Sequence, residues 1–241
     1  MSLERTEWDA IIIGGGPAGS TTARYAAEGG AAVLVIDGRD PIGSPLQCGE
    51  LVPSNSEMKR LCPDVPDIDD LLRTPEHAIS LRTTQMHLVP PSGKPLKYPF
   101  QGVVLNRVAH DEELVQLARS SGVEYLVGNR VSEIGTNKVT LTDGTQYSAK
   151  VIIGAGGHND PLRKSHWNVK SLNIPVKFVL MDGVFDDALE LHFGSVAPGG
   201  YAWAFPKQDG ANIGLGIQRK LSKGKSLNLY SCLLYTSPSP R

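Results

Sequence analysis

The sequence predicts an α/β protein in which a parallel sheet covered on both faces is accompanied by a second, mainly antiparallel sheet. The first observation is a strand–helix–strand pattern at the N-terminus, with predicted strands over Asp9–Ile13 and Ala32–Ile36 and a small-residue helix between them that ends at Gly29. Strands that are apolar throughout are typical of a parallel sheet. The second observation is a change of pattern over 176–217, where apolar residues alternate with polar residues or glycines, as in antiparallel strands.

Turn and capping residues predict the remaining elements. They are a long loop over 40–66 with one short helical turn, a hairpin over 77–98, a helix over 111–120, a hairpin over 139–147 and a buried strand over 151–153. Asp111 is expected to cap the helix and Gly122 to stop it. The loop prediction depends on its several prolines and glycines, and loops of such length are usually functional or disordered.

The order of these elements predicts two discontinuous domains and a tail. We expect the first domain over 1–75 and 103–165, the second over 76–102 and 166–222, and the tail over 223–241. Residues 232–241 have no periodicity and resemble the translation of a sequencing adapter, so we expect them to be non-native. A native disordered tail is the alternative.

Composition and charge exclude several classes of protein. A formal net charge of −1 gives no basic excess, so no nucleic-acid partner is expected. No apolar run approaches the roughly 20 residues of a spanning helix, and no secretory signal is visible. Cys48, Cys62 and Cys232 form no metal or disulfide framework, so we expect no metal and a cytoplasmic location. Peripheral contact with the inner face of the membrane remains open.

A glycine-rich turn between the first strand and the first helix predicts a dinucleotide site. Gly14, Gly16 and Gly19 fit the pattern G-x-G-x-x-G, in which they allow a tight turn, close approach to a pyrophosphate and close helix packing, respectively. The helix N-terminus offers free N–H groups to the phosphates. Asp37, about 20 residues further on, is placed to accept hydrogen bonds from the adenosine ribose. A glycine turn without a ligand is the alternative.

The same residues favour FAD as the dinucleotide. The motif lies at the extreme N-terminus and continues as Pro17-Ala18-Gly19-Ser20, which favours FAD over NAD. An acid at Asp37 disfavours a 2′-phosphate, and so disfavours NADP in this site.

Four segments together resemble the geranylgeranyl reductase family, and most closely its archaeal digeranylgeranylglycerophospholipid reductases. They are Gly14–Ser20 with Asp37, Pro45–Glu50, Asn106-Arg107, and Pro198–Lys207 with its Y-x-W-x-F-P signature. The resemblance spans roughly residues 9–220. It implies a fold like that of p-hydroxybenzoate hydroxylase, with a Rossmann-like FAD-binding domain and an antiparallel-sheet substrate domain.

The resemblance also implies a reaction and its partners. Reduced FAD delivers hydride to isolated C=C bonds of geranylgeranyl chains during membrane-lipid biosynthesis, so a prenyl lipid is the implied substrate. The electron donor is left open between NAD(P)H and ferredoxin. Two alternatives remain beside the reductase: an FAD-dependent monooxygenase or halogenase of the same fold, and a non-catalytic isoprenoid-binding protein.

Individual site residues follow from the resemblance. The implied FAD contacts are Ala18 and Asp37 on the ADP half, Cys48, Gly49 and Leu51 beside the flavin, Arg107 near the pyrophosphate or ribityl chain, and Val131 at the adenine. Cys48 is the catalytic candidate, because a thiol beside the flavin could donate a proton to the carbon opposite the hydride. The alternative is a small residue that lets the loop pass the flavin.

For the aromatic residues and glycines of two later strands, the sequence allows either a ligand-binding role or ordinary packing. Tyr201, Trp203 and Phe205 share one strand face. They are predicted either to line an isoprenoid site or to be ordinary sheet core. Gly214 and Gly216 leave one face of their strand bare, which makes room either for a lipid chain or for a packed neighbour.

The sequence also departs from the family. Its members usually carry Gly-Ala-Asp-Gly after the strand at 151–153, whereas Gly156 stands here in place of the aspartate. Their second Gly-Asp-Ala motif, which binds the ribityl chain and pyrophosphate, would lie downstream of this chain. We therefore expect the chain as given to be a C-terminally truncated fragment that binds FAD weakly or not at all and is inactive.

Overall fold

The computed structural model describes residues 5–71, 73–167, 174–222 and 224. Its strands are β1 (Glu7–Ile13), β2 (Val33–Asp37), β3 (Leu51–Pro53), β4 (Ile79–Val89), β5 (Leu96–Leu105), β6 (Glu124–Val127), β7 (Val131–Ile134), β8 (Lys138–Leu141), β9 (Gln146–Gly154), β10 (Val176–Asp182), β11 (Leu189–His192), β12 (Tyr201–Lys207) and β13 (Gly210–Gly216). Its α-helices are α1 (Pro17–Glu28), α2 (Asn55–Leu61), α3 (Ile68–Leu71), α4 (Arg107–Ser120) and α5 (Pro161–His166).

The chain divides into two compact units, each made of two segments. The first comprises Met1–Gln47 and Arg107–Ser171, and the second comprises Cys48–Asn106 and Leu172–Arg241. The tail predicted over 223–241 lies outside the described residues except for Gly224. Among the helices that the structure describes, none is long and apolar enough to cross a membrane.

The first unit is built on a six-stranded sheet in the order β6-β2-β1-β9-β8-β7. Strands β6, β2, β1 and β9 are parallel, and β8 and β7 continue the sheet antiparallel. Both faces of β1 and β2 are buried, with Ile11 and Leu34 on one side and Ile12 and Val33 on the other. Ala23 of α1 packs on the second face, where its small side chain lets the helix approach the sheet. The predicted βαβ unit and Rossmann-like fold are confirmed.

Helix α4 begins at Arg107, one turn earlier than predicted. The prediction that Asp111 caps this helix is therefore wrong. Asp111 lies inside the helix, is 2% exposed, and accepts a hydrogen bond from Arg107 Nε at 2.6 Å. An arginine one turn before the acid satisfies its charge, so the acid does not need the free N–H groups of a helix terminus.

The second unit is a seven-stranded sheet in the order β10-β13-β12-β11-β4-β5-β3. All its pairings are antiparallel except that of β4 with β11, so the predicted mainly antiparallel sheet is confirmed. The hairpin predicted over 77–98 is present as β4 and β5, and Gly93 N–H donates to Pro90 O in its turn.

The boundary between the units differs from the one expected. Residues 48–75 and 103–106, which the sequence predicts in the first domain, belong to the second unit, and residues 166–171, predicted in the second domain, belong to the first unit. The physical reason is that β3 pairs with the end of β5 through Leu51, Val52 and Pro53. Part of the predicted loop over 40–66 is therefore strand, and part is α2, which Ser54 caps by accepting a hydrogen bond from Glu57 N–H.

Candidate cofactor site

A crevice of about 680 Å³ opens in the first unit at the carboxyl ends of β1, β2 and β9. Its volume is in the usual range for ligand sites, and its position at the carboxyl ends of parallel strands is the usual one in α/β sheets. It is lined by residues that include Gly14, Gly16, Ala18, Asp37, Val131 and Gly156. Of the predicted FAD contacts in this unit, Arg107 does not line the crevice, and Gly19 lies behind it in α1.

The glycine turn has the geometry that a phosphate-binding loop requires. Gly14 has a φ of 106°, and a Cβ added there would collide with the Ala155 carbonyl. A Cβ on Gly19 would collide with the Gly14 carbonyl, so α1 can pack here only with glycine. Gly16 is different, since the nearest atom to an added Cβ is Arg39 Nη2 at 3.8 Å. The space above Gly16 is open.

Helix α1 presents its N-terminus to this space. Gly16 is its N-cap residue and supplies no side chain to bond the first-turn N–H groups, and Pro17 opens the helix. The helix begins with unoccupied backbone donors and the positive end of its dipole. This arrangement suits a pyrophosphate, which is the group that the sequence predicts here.

Asp37 is held by four N–H groups of the protein. Gly15 N–H donates to Oδ2 at 2.7 Å and Arg39 N–H to Oδ1 at 2.8 Å. The Arg39 guanidinium donates Nε to Oδ1 and Nη2 to Oδ2, each at 3.1 Å. A carboxylate has about four acceptor positions, so a ribose hydroxyl must share or replace one of these donors.

Electrostatics keep Asp37 ionised. Burial alone raises the pKa of Asp37, but hydrogen bonds from Arg39 and from the Gly15 and Arg39 backbone outweigh it, so its pKa is lower than usual. The charge of Arg39 acts in the same direction. The acid is therefore a hydrogen-bond acceptor over the whole neutral range, and it also fixes the glycine turn through Gly15.

A second acid, Asp160, holds the part of the crevice lining that contains Gly156. Asp160 Oδ2 accepts from Gly156 N–H at 2.6 Å, and Oδ1 accepts from Arg163 N–H at 2.7 Å as the N-cap of α5. A Cβ on Gly156 would lie 2.9 Å from Asp160 Cα. A side chain at 156 therefore needs Asp160 to move, which explains physically why glycine stands here.

The predicted flavin-side residues lie in the second unit, in the turn that leads into β3. Cys48 and Gly49 are half-buried, and Leu51 begins the strand. Glu50 has a φ of 70° and is 2% exposed. Its carboxylate accepts hydrogen bonds from Lys207 Nζ at 2.8 Å and Asn212 Nδ2 at 3.0 Å.

The aromatic residues of β12 form a ladder on one face of the second sheet. Ring centroids of Tyr201 and Trp203 are 6.0 Å apart, and those of Trp203 and Phe205 are 6.1 Å apart. Phe193 extends the ladder beyond Tyr201, at 6.3 Å. Trp203 and Phe205 are each 6% exposed and belong to a hydrophobic cluster, whereas Tyr201 is 47% exposed.

The structure decides one alternative that the sequence left open. A Cβ on Gly214 would collide with the Trp203 indole and lie 2.5 Å from Phe178 Cβ. The bare face at Gly214 is thus filled by packed neighbours. Gly216 is less crowded, with Val176 Cγ2 at 3.3 Å from an added Cβ.

Sequence reasoning missed the polar residues that hold these loops, namely Arg39, Glu50, Asp160, Lys207 and Asn212. Only one left a usable signal. Asn212 interrupts the apolar strand β13 and is fully buried, because neighbours cover both faces of that strand. The others are charged residues in or beside turns, where solvent exposure is the ordinary expectation.

Two family models match the chain. The model of the geranylgeranyl reductase catalytic domain matches residues 172–236, and that of the pyridine nucleotide-disulphide oxidoreductases matches residues 8–161. Digeranylgeranylglycerophospholipid reductase 3 of Methanosphaera stadtmanae is 30% identical over 253 residues, which cover 92% of this chain and 60% of that protein. The chain belongs to the geranylgeranyl reductase family.

Other proteins are similar to the chain in sequence or in fold. A protein from the nifH2 5′ region of Methanosarcina barkeri is 35% identical over 166 residues, covering 68% of this chain and 89% of that protein. A geranylgeranyl bacteriochlorophyll reductase-like structure from Thermoplasma acidophilum matches with a TM-score of 0.76 at 26% identity. The match covers 98% of the present chain and 63% of the Thermoplasma chain. The halogenase PltM, at 17% identity and a TM-score of 0.73 over 96% of this chain and 56% of that one, shares the fold.

The predicted family and fold are thereby confirmed. The chain spans 60% of the Methanosphaera stadtmanae reductase and 56% of the Picrophilus torridus digeranylgeranylglycerophospholipid reductase.

Proposed function

We propose that the protein is an FAD-dependent reductase that saturates C=C bonds of geranylgeranyl chains in membrane-lipid biosynthesis. The observation that carries the proposal is the match of residues 172–236 to the geranylgeranyl reductase catalytic domain. The crevice of the first unit adds the cofactor site that such a reaction needs. Relatives named digeranylgeranylglycerophospholipid reductase favour an archaeal-type ether lipid as the substrate class.

FAD fits the residues of the crevice. The open space above Gly16 and the uncapped N-terminus of α1 suit its pyrophosphate. Asp37 and Ala18 would hold the ADP half, and Val131, which lines the crevice, would meet the adenine. Arg107 does not line the crevice, and its Nε bonds Asp111. Its proposed contact with the pyrophosphate or ribityl chain rests on the family resemblance and on the fit of a guanidinium fork to phosphate oxygens. Gly14 and Gly19 give the turn its shape.

The chemistry is divided between the cofactor and the chain. When bound and reduced, FAD supplies the hydride that is added to one alkene carbon. Cys48 is proposed to donate the proton to the neighbouring carbon and to regain one from solvent, so the alkene gains the elements of H₂. Gly49 and Leu51 would shape the flavin side of the same turn.

The second unit is proposed to bind the prenyl chain. The ladder of Phe205, Trp203 and Tyr201 runs from buried to half-exposed along one sheet face, which suits an apolar chain entering from solvent. Trp203 and Phe205 are packed as core, so Tyr201 is the ring with most surface for a ligand.

Substrates of this kind reside in membranes, and we therefore propose a cytoplasmic protein in peripheral contact with the membrane. Reduced nicotinamide or ferredoxin is the proposed electron donor.

A reoxidation experiment tests the function. In a chain continued to the length of its curated relatives, bound flavin is reduced without oxygen, and a geranylgeranyl ether lipid is added. We expect flavin colour to return with the lipid, and mass spectrometry to find one H₂ added per saturated bond. NADH, NADPH and reduced ferredoxin are compared as donors.

Three other outcomes would contradict the reductase proposal. Return of colour only with oxygen and an aromatic substrate would make the protein a monooxygenase. Oxygen-dependent halide incorporation would make it a halogenase. A colourless protein that binds the lipid would be a carrier.

The role of Cys48 is tested by Cys48→Ser. We expect kcat for lipid saturation to fall at least about tenfold, because a hydroxyl is a much weaker acid than a thiol, while FAD binding stays within about twofold. Cys62→Ser, at a cysteine that follows α2, is the matched control and should leave both quantities unchanged. Turnover at the wild-type rate in Cys48→Ser would remove Cys48 from the mechanism.

A further inference from the structure

A buried polar network joins the Cys48 turn to two strands of the second sheet. Asn212 of β13 is fully buried, and its Nδ2 donates to Cys48 O at 3.1 Å and to Glu50 Oε2 at 3.0 Å. Its Oδ1 accepts from Trp203 Nε1 at 2.9 Å. The Asn212 side chain therefore links the Cys48 carbonyl, the Glu50 carboxylate and the Trp203 indole.

Glu50 and Lys207 complete the network with opposite charges. Lys207 Nζ lies 2.8 Å from Glu50 Oε2 and donates to Leu105 O, also at 2.8 Å. Glu50 accepts from Leu105 N–H through its own carbonyl at 2.8 Å. Its N–H donates to Cys48 Sγ at 3.2 Å. Hydrogen bonds thus hold the turn at the Cys48 sulfur, at the carbonyls of Cys48 and Glu50, and at the Glu50 carboxylate.

The turn is also packed tightly and held in a strained conformation. Glu50 has a left-handed backbone with a φ of 70°, which a non-glycine residue keeps only where the surrounding structure holds it. A Cβ on Gly49 would lie 3.0 Å from Phe205 Cε2 and 3.3 Å from Trp203 Nε1. A side chain at position 49 would therefore require these two rings to shift by a few tenths of an ångström.

Stability alone is a poor reason for such an arrangement. Removing two charges from water is costly, and replacing a buried ion pair by apolar side chains of similar volume is often neutral or stabilising. A fully bonded buried network does fix a geometry, however, because each donor and acceptor permits only one arrangement. The network is therefore suited to holding the Cys48 turn in one position.

We propose that Asn212, Glu50 and Lys207 are positioning residues that fix Cys48 and its peptide against the aromatic strand. This inference rests on the proposed function in so far as it gives Cys48 a proton to deliver. Proton transfer needs the donor within hydrogen-bond reach of the reacting atom, and small displacements lower the rate strongly. Loosening the turn should therefore lower kcat and leave lipid binding, and so KM, nearly unchanged.

Two variants loosen the turn in different ways. Asn212→Leu keeps the branched shape and the number of heavy side-chain atoms and removes all three hydrogen bonds. The double variant Glu50→Gln with Lys207→Met removes both charges together, so no uncompensated charge stays buried. Thr83→Val is the matched control, because Thr83 is a buried residue of the same unit whose hydroxyl bonds Gln85 O instead of the turn.

The primary measurement is amide hydrogen exchange of Glu50 and Leu105 in the native protein. We expect exchange of both amides to quicken at least about tenfold in Asn212→Leu and in the double variant, and to stay unchanged in Thr83→Val. Unchanged exchange would overturn the proposal. Equal acceleration throughout the second unit would overturn it too, since the network would then be only a structural support.

The kinetic measurement uses the chain continued to the length of its relatives. We expect both variants to lower kcat for lipid saturation about tenfold with KM within about twofold, and Thr83→Val to change neither. Normal kcat with a loosened turn would refute the positioning role. If the wild-type protein itself does not reduce the lipid, the proposed function fails, while the exchange measurement still decides whether the network fixes the turn.

Discussion

At the scale of single residues, Asp37 supports the glycine turn in addition to the ribose contact that its spacing predicts. The fingerprint spacing predicts an acceptor for a ribose, and the structure adds that Asp37 Oδ2 bonds Gly15 N–H at 2.7 Å. Arg39, two residues later, satisfies the rest of the carboxylate. Asp37 therefore holds the glycine turn through Gly15, and a substitution there should change the turn as well as the proposed ribose contact.

Asp37→Ala is expected to weaken FAD binding about 10- to 100-fold, since hydrogen bonds to a charged group contribute about 1.5–3 kcal/mol. Asp37→Asn keeps one acceptor oxygen for Gly15 N–H and should lose less. Calorimetric titration of FAD measures both variants. Asp143→Ala, in the turn of the β8–β9 hairpin, is the control and should bind normally. Unchanged affinity in Asp37→Ala would contradict the placement of the ribose.

At the scale of elements, α4 depends on a buried pair in its first two turns. Burial raises the pKa of Asp111, but hydrogen bonds from His110 and Arg107 outweigh it, so its pKa lies below the usual value. The ionised acid then contributes stability above the unfolded pKa of about 3.9, and the contribution is lost as pH falls through the folded pKa.

Asp111→Asn should therefore lower the free energy of unfolding by about 1–3 kcal/mol at pH 7. The difference from wild type should begin to narrow below pH of about 4, where the carboxyl of the unfolded chain takes up a proton, and should narrow further as pH falls through the lower folded pKa. Urea unfolding at neutral and acid pH measures this. If the difference in the free energy of unfolding between wild type and Asp111→Asn is independent of pH, the charge of Asp111 does not contribute to stability.

A second element-scale prediction concerns β13, where two glycines separated by one residue, Gly214 and Gly216, differ in their surroundings. Gly214→Ala pushes a methyl group into Trp203 and Phe178 and should cost about 1–3 kcal/mol by overpacking. Gly216→Ala has more room and should cost less. Denaturant unfolding of both variants makes the comparison. Equal costs would contradict the packed face at Gly214.

Elements with a strong periodic pattern were predictable, and those set by distant partners were not. The βαβ unit and the strands β11–β13 follow from local apolar patterns. The start of α4 does not, because Asp111 resembles an N-cap until Arg107 is seen to neutralise it. The strand β3 is only Leu51–Pro53 and exists because β5 pairs with it, a contact that local sequence does not contain. The polar partners of Cys48 were missed for the same reason, since Asn212 and Lys207 come from strands far along the chain.

At the scale of the whole molecule, the chain enters the second unit at Cys48 and returns to the first at Arg107. The two family models match one segment on each side of residue 171, at 8–161 and 172–236. The cofactor crevice is formed by residues of the first unit alone. In the chain continued to the length of its relatives, FAD binding should therefore be measurable as an increase in the free energy of unfolding, independently of any turnover.

FAD at 100 times its dissociation constant should raise the free energy of unfolding by about 2.7 kcal/mol, since a ligand that binds only the native state stabilises by mass action. Comparing Gly16→Ala with Gly19→Ala distinguishes a loss of FAD binding from a loss of helix packing. Gly16 has extended backbone and open space, so its variant should unfold within about 1 kcal/mol of wild type without FAD and yet lose the gain from FAD. Gly19→Ala collides with Gly14 O and should destabilise the protein without FAD. Full stabilisation of Gly16→Ala by FAD would mean that no pyrophosphate lies on this turn, because its new methyl group occupies the space above the loop.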